Sequence, residues 1–107
     1  LVAGAVELMS REYARPTRVS EISSRLKVSR RTLELRFRST LGRSPAAELR
    51  RLRLDHARRL LAETDLPVKE IAFRCGFSGA AEMAITFRRH VGTSPTGYRA
   101  RVRPSAI

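Results

Sequence analysis

The sequence predicts an all-α fold of about seven helices, arranged as two copies of one helical unit on either side of a long helix. Three observations carry this. After Pro45, residues keep helical periodicity with no Gly or Pro until Pro67. The segments flanking that stretch match each other in register. No stretch shows the two-residue alternation of a strand.

The match runs as follows. Val19, Ile22, Leu26, Val28 and Ser29 correspond to Val68, Ile71, Cys75, Phe77 and Ser78 in constant register. One residue, Gly79, is then gained. Beyond it Leu33, Phe37, Arg38, Leu41, Gly42 and Ser44-Pro45 correspond to Met83, Phe87, Arg88, Val91, Gly92 and Ser94-Pro95. A solenoid needs three or more units, so two indicate a tandem duplication.

The elements follow in order. Leu1 to Ala14 sets Val2, Val6, Met9 and Tyr13 at helical spacing and reads as a helix under the first unit, ended by Pro16. Ser20, in preference to Thr17, is the expected cap of the next helix, which runs to about Leu26 with Glu21 near its positive end. Lys27-Val28-Ser29 is the turn. Ser29 caps a helix over about Arg30 to Thr40, and Gly42 suits a left-handed stop.

Ser44 then caps the long helix, Pro45 to Glu63, with proline at the first position, where its missing N–H costs nothing. Leu49, Leu52, His56 and Leu60 form one apolar row, and Leu54, Ala57 and Leu61 a second beside it. Arg50, Arg51, Arg53, Arg58 and Arg59 cover most of the rest. Asp65 to Pro67 is a loop. The second unit has helices over about Val68 to Cys75 and Ala80 to Val91, with Gly76-Phe77-Ser78 between them. Pro95 to Val102 is a short last helix, and Pro104 to Ile107 a frayed tail. The expected organisation is one domain, 1–107, with modules 1–44 and 64–107 joined by the helix 45–63.

Each unit is a short helix meeting a second helix across a tight turn. That is the helix-turn-helix plan, whose second helix enters the DNA major groove. Leu33 and Phe37, like Met83 and Phe87, should face inward. Arg30, Arg31, Glu34, Leu35 and Arg38 should face out. Composition agrees. The net charge is +12, and only Lys27 and Lys69 among the 22 basic residues are lysines. Arginine suits bidentate contact with phosphate and guanine, so a polyanionic partner is implied.

The chain also resembles a known family, the AraC/XylS transcriptional regulators. The resemblance rests on Arg59-Leu-Leu61, Ile71-Ala72, Cys75-Gly76-Phe77-Ser78, Phe87-Arg88-Arg89, Gly92, Ser94-Pro95 and Tyr98-Arg99, and spans about Ala5 to Arg101. It implies two helix-turn-helix modules binding specific duplex DNA near a promoter, in a protein that activates transcription. Base readout is implied for outward positions of each second helix. In the first these are Arg31, Glu34 and Leu35, beside Arg30. Arg31 could take guanine O6/N7, and Glu34 could accept from cytosine N4. Leu35 departs from the polar or basic residue often found there.

In the second helix the matched positions are Ala80, Ala81, Glu82, Ala84 and Ile85, where the family often has amides, hydroxyls and an arginine. Two readings stand: docking through phosphates, or recognition of thymine methyl groups. The expected phosphate contacts are Ser29, Arg38, Arg74, Ser78, Arg88 and Arg89.

The chain begins at Leu1 and reads as a fragment of a longer protein. The resemblance implies a separate N-terminal domain carrying effector and dimer contacts, with RNA polymerase as a further partner. Other chemistry finds little support. Cys75 occupies the position of Leu26 and reads as a small buried hydrophobe; a lone cysteine forms no internal disulfide, which fits a cytoplasmic protein. His56 and His90 lack companions at ligand spacing, so no metal is expected. No cofactor motif, nucleophile–base set, secretory signal or membrane-length apolar run is visible. The rival reading is a helical protein-interaction module contacting RNA polymerase or a companion domain.

Overall fold

The computed structural model describes residues 1–15 and 17–103. They form seven α-helices: α1 (Val2–Glu12), α2 (Val19–Arg25), α3 (Arg30–Leu41), α4 (Pro45–Glu63), α5 (Val68–Arg74), α6 (Ala80–His90) and α7 (Pro95–Val102). No strand occurs among the described residues. The Pro16 stop and the tail from Pro104 to Ile107 lie outside them.

Local chemistry sets most of the ends. The side chains of Ser29, Ser44 and Ser94 accept the backbone N–H groups of Thr32, Ala47 and Gly97. Each satisfies an otherwise orphaned donor. Gly42 closes α3 in the left-handed region at φ 71° and donates to the Arg38 carbonyl. α2 departs from expectation. Neither Thr17 nor Ser20 caps it. Arg18 is the N-cap and has no side-chain acceptor to offer, and the Thr17 hydroxyl donates to the Glu12 carbonyl at 3.3 Å.

Two cores form, one per module. The first gathers Ala5, Leu8, Met9, Val19, Ile22, Leu33, Phe37 and Leu49. The second gathers Leu54, Ala57, Leu61, Ile71, Ala72, Cys75, Phe77, Met83 and Phe87. The buried line of α1 is thus Ala5, Leu8 and Met9, with Val2, Val6 and Tyr13 only partly covered.

The two rows of α4 serve different modules. Leu49 and Leu52 pack into the first core, and His56 meets Tyr13 edge-on with ring centroids 5.6 Å apart. Leu54, Ala57 and Leu61 pack into the second, joined by Leu60. One rigid helix therefore carries a wall of both cores. The molecule is elongated, 54 × 23 × 20 Å.

The duplication is visible in backbone geometry. Lys27 and Gly76 hold equivalent places in the two turns, and both are left-handed, at φ 59° and 90°. The next N–H bonds back in the same way each time, Val28 to Ser23 O at 3.1 Å and Phe77 to Ala72 O at 3.0 Å. Lys27 is exposed and tolerates a side chain; Gly76 faces the other module.

Candidate nucleic-acid interface

The second helix of each module is held from below by two side chains one turn apart. Leu33 and Phe37 anchor α3, Met83 and Phe87 anchor α6, and all four are fully buried. Their burial fixes which faces turn outward.

On α3 the outward side chains are Arg30, Arg31, Leu35 and Arg38, all exposed, with Ser29 exposed at the cap. Glu34 is half-buried and reaches Arg30 at 3.5 Å. That exposed pair is weak and can open to a stronger partner. Arg31 and Arg38 form no ion pair among the described residues, whereas Arg74 reaches Glu70 at 3.1 Å along α5.

The start of α6 is built differently. The inserted Gly79 takes the N-cap place, and it has no side chain to cap with. The Glu82 carboxylate substitutes by accepting the Ser78 N–H at 2.8 Å. A side chain matched to base readout is thereby engaged with its own helix start. Ala81 and Ile85 are exposed, while Ala80 and Ala84 are half-covered. Leu35 and Ile85 are equivalent in the two copies and are both 60% exposed. The middle of α6 thus offers methyl groups. Exposed Arg88 and Arg89 follow in its last turn.

The structure brings together, on each second helix, the residues matched to readout: Arg30, Arg31, Glu34 and Leu35 on α3, and Ala80, Ala81, Glu82, Ala84 and Ile85 on α6. Arg74 stands apart at the end of α5, held by Glu70.

A helix-turn-helix domain model matches residues 22–101. The chain is similar to the DNA-binding domain of AdpA, a global transcriptional factor whose structure was solved with a target DNA. The two are 35% identical, with a TM-score of 0.87 over 98% of this chain and 97% of that one. A Chromobacterium violaceum regulator with an AraC-type DNA-binding domain is 34% identical, with a TM-score of 0.82 over 97% and 94% of the two chains. The chain belongs to the AraC family of helix-turn-helix DNA-binding transcription regulators. Curated AraC-family relatives include an AraC-like regulator of Streptomyces antibioticus, 34% identical over 97% of this chain. The transcriptional activator RhaR of an Enterobacter species is 41% identical over 73% of it. The chain spans about a third of the first relative's length and 28% of the second's.

Within this AraC-type unit, Arg53, read from the sequence as one of the charges covering α4, proves to be an internal fastener, and Arg99 and Arg103 act in the same way. Arg53 is half-buried and donates to the carbonyls of Tyr13 at 2.9 Å, Thr17 at 3.1 Å and Arg15 at 3.2 Å. Burial lowers its pKa. Arg99 donates to the carbonyls of Leu61 and Thr64, both at 3.1 Å, and Arg103 to that of Thr64 at 2.6 Å. These bonds tie the carbonyls after α1 to α4, and those at the end of α4 to α7 and the residue after it.

Cys75 is fully buried, and burial pushes its thiol up to about 11. Among the described residues no His, Cys, Asp or Glu cluster could hold a metal ion, and no helix is long and apolar enough to cross a membrane.

Proposed function

We propose that this chain reads a specific duplex site by placing α3 and α6 in successive major grooves, as the DNA-binding domain of a transcriptional activator. Residues 1–44 and 64–107 act as the two reading modules of one domain, and 45–63 as the spacer. The observation that carries the reading is the repetition itself. Two equivalent outward helix faces, each with arginines that form no ion pair among the described residues, hang from one 19-residue helix. That helix is about 28 Å long at 1.5 Å per residue. Successive major grooves of straight B-DNA lie about 34 Å apart, so an oblique helix or a modest DNA bend closes the gap.

In this reading Arg30, Arg31, Glu34 and Leu35 meet bases in one groove, and Ala80, Ala81, Glu82, Ala84 and Ile85 in the next. Ser29, Arg38, Arg74, Ser78, Arg88 and Arg89 meet phosphates. Hydrogen-bonded discrimination comes mainly from α3, since α6 offers methyl groups that favour thymine. The activator name of RhaR supports an activator, and the longer relatives support further contacts outside this chain. In this reading effector and dimer contacts lie there, and the protein acts with RNA polymerase on cytoplasmic DNA. A protein-docking role has one supporting observation, Phe73 of α5, 58% exposed.

A binding selection on randomised duplexes tests the reading. Arg31→Ala should weaken specific binding by about 1–3 kcal/mol and relax one base position. Arg88→Ala should weaken all sequences alike. Unchanged preference in Arg31→Ala would rule out the assigned readout face, and absence of salt-dependent duplex binding would favour the protein-docking role.

A further inference from the structure

Five arginines are half-buried: Arg43, Arg50, Arg53, Arg58 and Arg99. Four have partners. Arg43 reaches Glu48 and Arg58 reaches Asp55, each at 3.4 Å. Arg53 and Arg99 hold backbone carbonyls. Arg50 alone of the five makes neither an ion pair nor a side-chain hydrogen bond among the described residues. Partial withdrawal of a guanidinium from water without a partner is unfavourable, and an incoming anion would relieve it.

Its place in the fold says which anion. Arg50 lies in the second turn of α4, the helix that begins just after α3 and shares the second core with α6. It stands between two clefts. One, of about 260 Å³, is bordered by Arg43, Arg51, Asp55, Arg58 and His90 at the end of α6. The other, of about 140 Å³, is bordered by Arg53, Phe77, Glu82 and Thr86. In the larger cleft Asp55 is already engaged by Arg51 and Arg58. The His90 imidazole is held below its ordinary pKa by desolvation, then by Arg50 and Arg89. The field there is positive and Arg50 is uncommitted.

In the two-groove reading the backbone between the grooves spans the gap between α3 and α6, and the clefts beside Arg50 are lined on the α6 side by His90, Glu82 and Thr86. We propose that Arg50 binds a backbone phosphate in that central segment, between the two grooves. The inference rests on the two-groove reading above. A planar guanidinium fork matches a phosphate oxygen pair. Such a contact positions the duplex and is indifferent to sequence.

The test compares wild type, Arg50→Gln and Arg50→Lys on the preferred duplex across a salt series, with thermal melts of each free protein. Arg50→Gln should melt no lower than wild type, because no ion pair or side-chain hydrogen bond among the described residues is lost. It should bind about tenfold more weakly. Its log–log salt slope should be shallower by about 0.9, and its sequence preference unchanged. Arg50→Lys should keep the slope. Ethylation of phosphates midway between the two protected grooves should impair wild type and leave Arg50→Gln indifferent. Wild-type affinity and slope in Arg50→Gln would overturn the assignment alone, as would a lowered melting temperature, which would reveal a partner inside the fold. Wild-type protein that binds no duplex would overturn the two-groove reading along with it.

Discussion

Gly76 lies so close to the Tyr13 carbonyl that a Cβ on the glycine would sit 2.1 Å from that oxygen and 2.8 Å from Arg53 Nε. The turn of the second module is seated on the end of α1, and Arg53 of α4 donates to the same carbonyl. Three segments distant in sequence meet at one oxygen, and the two modules are locked there.

Gly76→Ala should therefore be costly for two separate reasons. The φ of 90° strains any side chain, and the atom in the way is backbone, which cannot swing aside. A loss of at least about 1–3 kcal/mol is expected in urea unfolding. The equivalent position, Lys27, already carries a side chain at φ 59° in an exposed turn. Lys27→Ala should leave stability nearly unchanged.

Phe37 and Phe87 are equivalent anchors, both fully buried, and Phe87 also meets Tyr98 with ring centroids 5.9 Å apart. Truncating either to Ala should cost about 3–5 kcal/mol. A thermal melt placing either variant within about a degree of wild type would contradict the shared anchoring role, since a loss of that size shifts a small domain by many degrees.

Stability should fall on mild acidification through His56. Burial first, then Arg59 and Arg74, lower its pKa below 6.5, and its buried Nδ1 has no partner among the described residues. The unfolded chain takes up this proton more readily than the folded one. Stability is thus full above 6.5, declines as pH drops through that value, and levels off once the folded imidazole is itself protonated. Glu48 adds a separate loss at lower pH. Its hydrogen bonds to Arg51 hold its carboxyl below 4.5, so that contribution fades as pH falls through 4.5 and beyond. Urea midpoints between about pH 7.5 and 5.5 should drop for wild type and much less for His56→Gln.

What could be read from the sequence was what short-range chemistry decides. Ser44-Pro45, Ser29 and Gly42 act within one turn of themselves, and their helix ends fall where those residues place them. The two rows on α4 were legible as rows; which module each one faces was not, because that depends on how the modules pack. Arg53 shows the limit most clearly. Its partners at Tyr13, Arg15 and Thr17 are 36 to 40 residues away, so spacing on α4 could only mark it as one more charge. Arg50 on the same helix was equally mute, since its lack of a partner appears only after every neighbour has been placed. Glu82 reads as an outward side chain, and only the Gly79 insertion explains why it turns back to the Ser78 N–H.

The two-groove arrangement can be tested most directly by footprinting this chain on its preferred duplex at several protein concentrations. Expected is protection of two major-groove segments, centred about 10–10.5 base pairs apart on one face. The site should be asymmetric and occupied by one chain per duplex. Both segments should fill together at one concentration, because a single rigid helix carries both modules. Protection confined to one groove, or seen only on a palindrome at two chains per site, would contradict it.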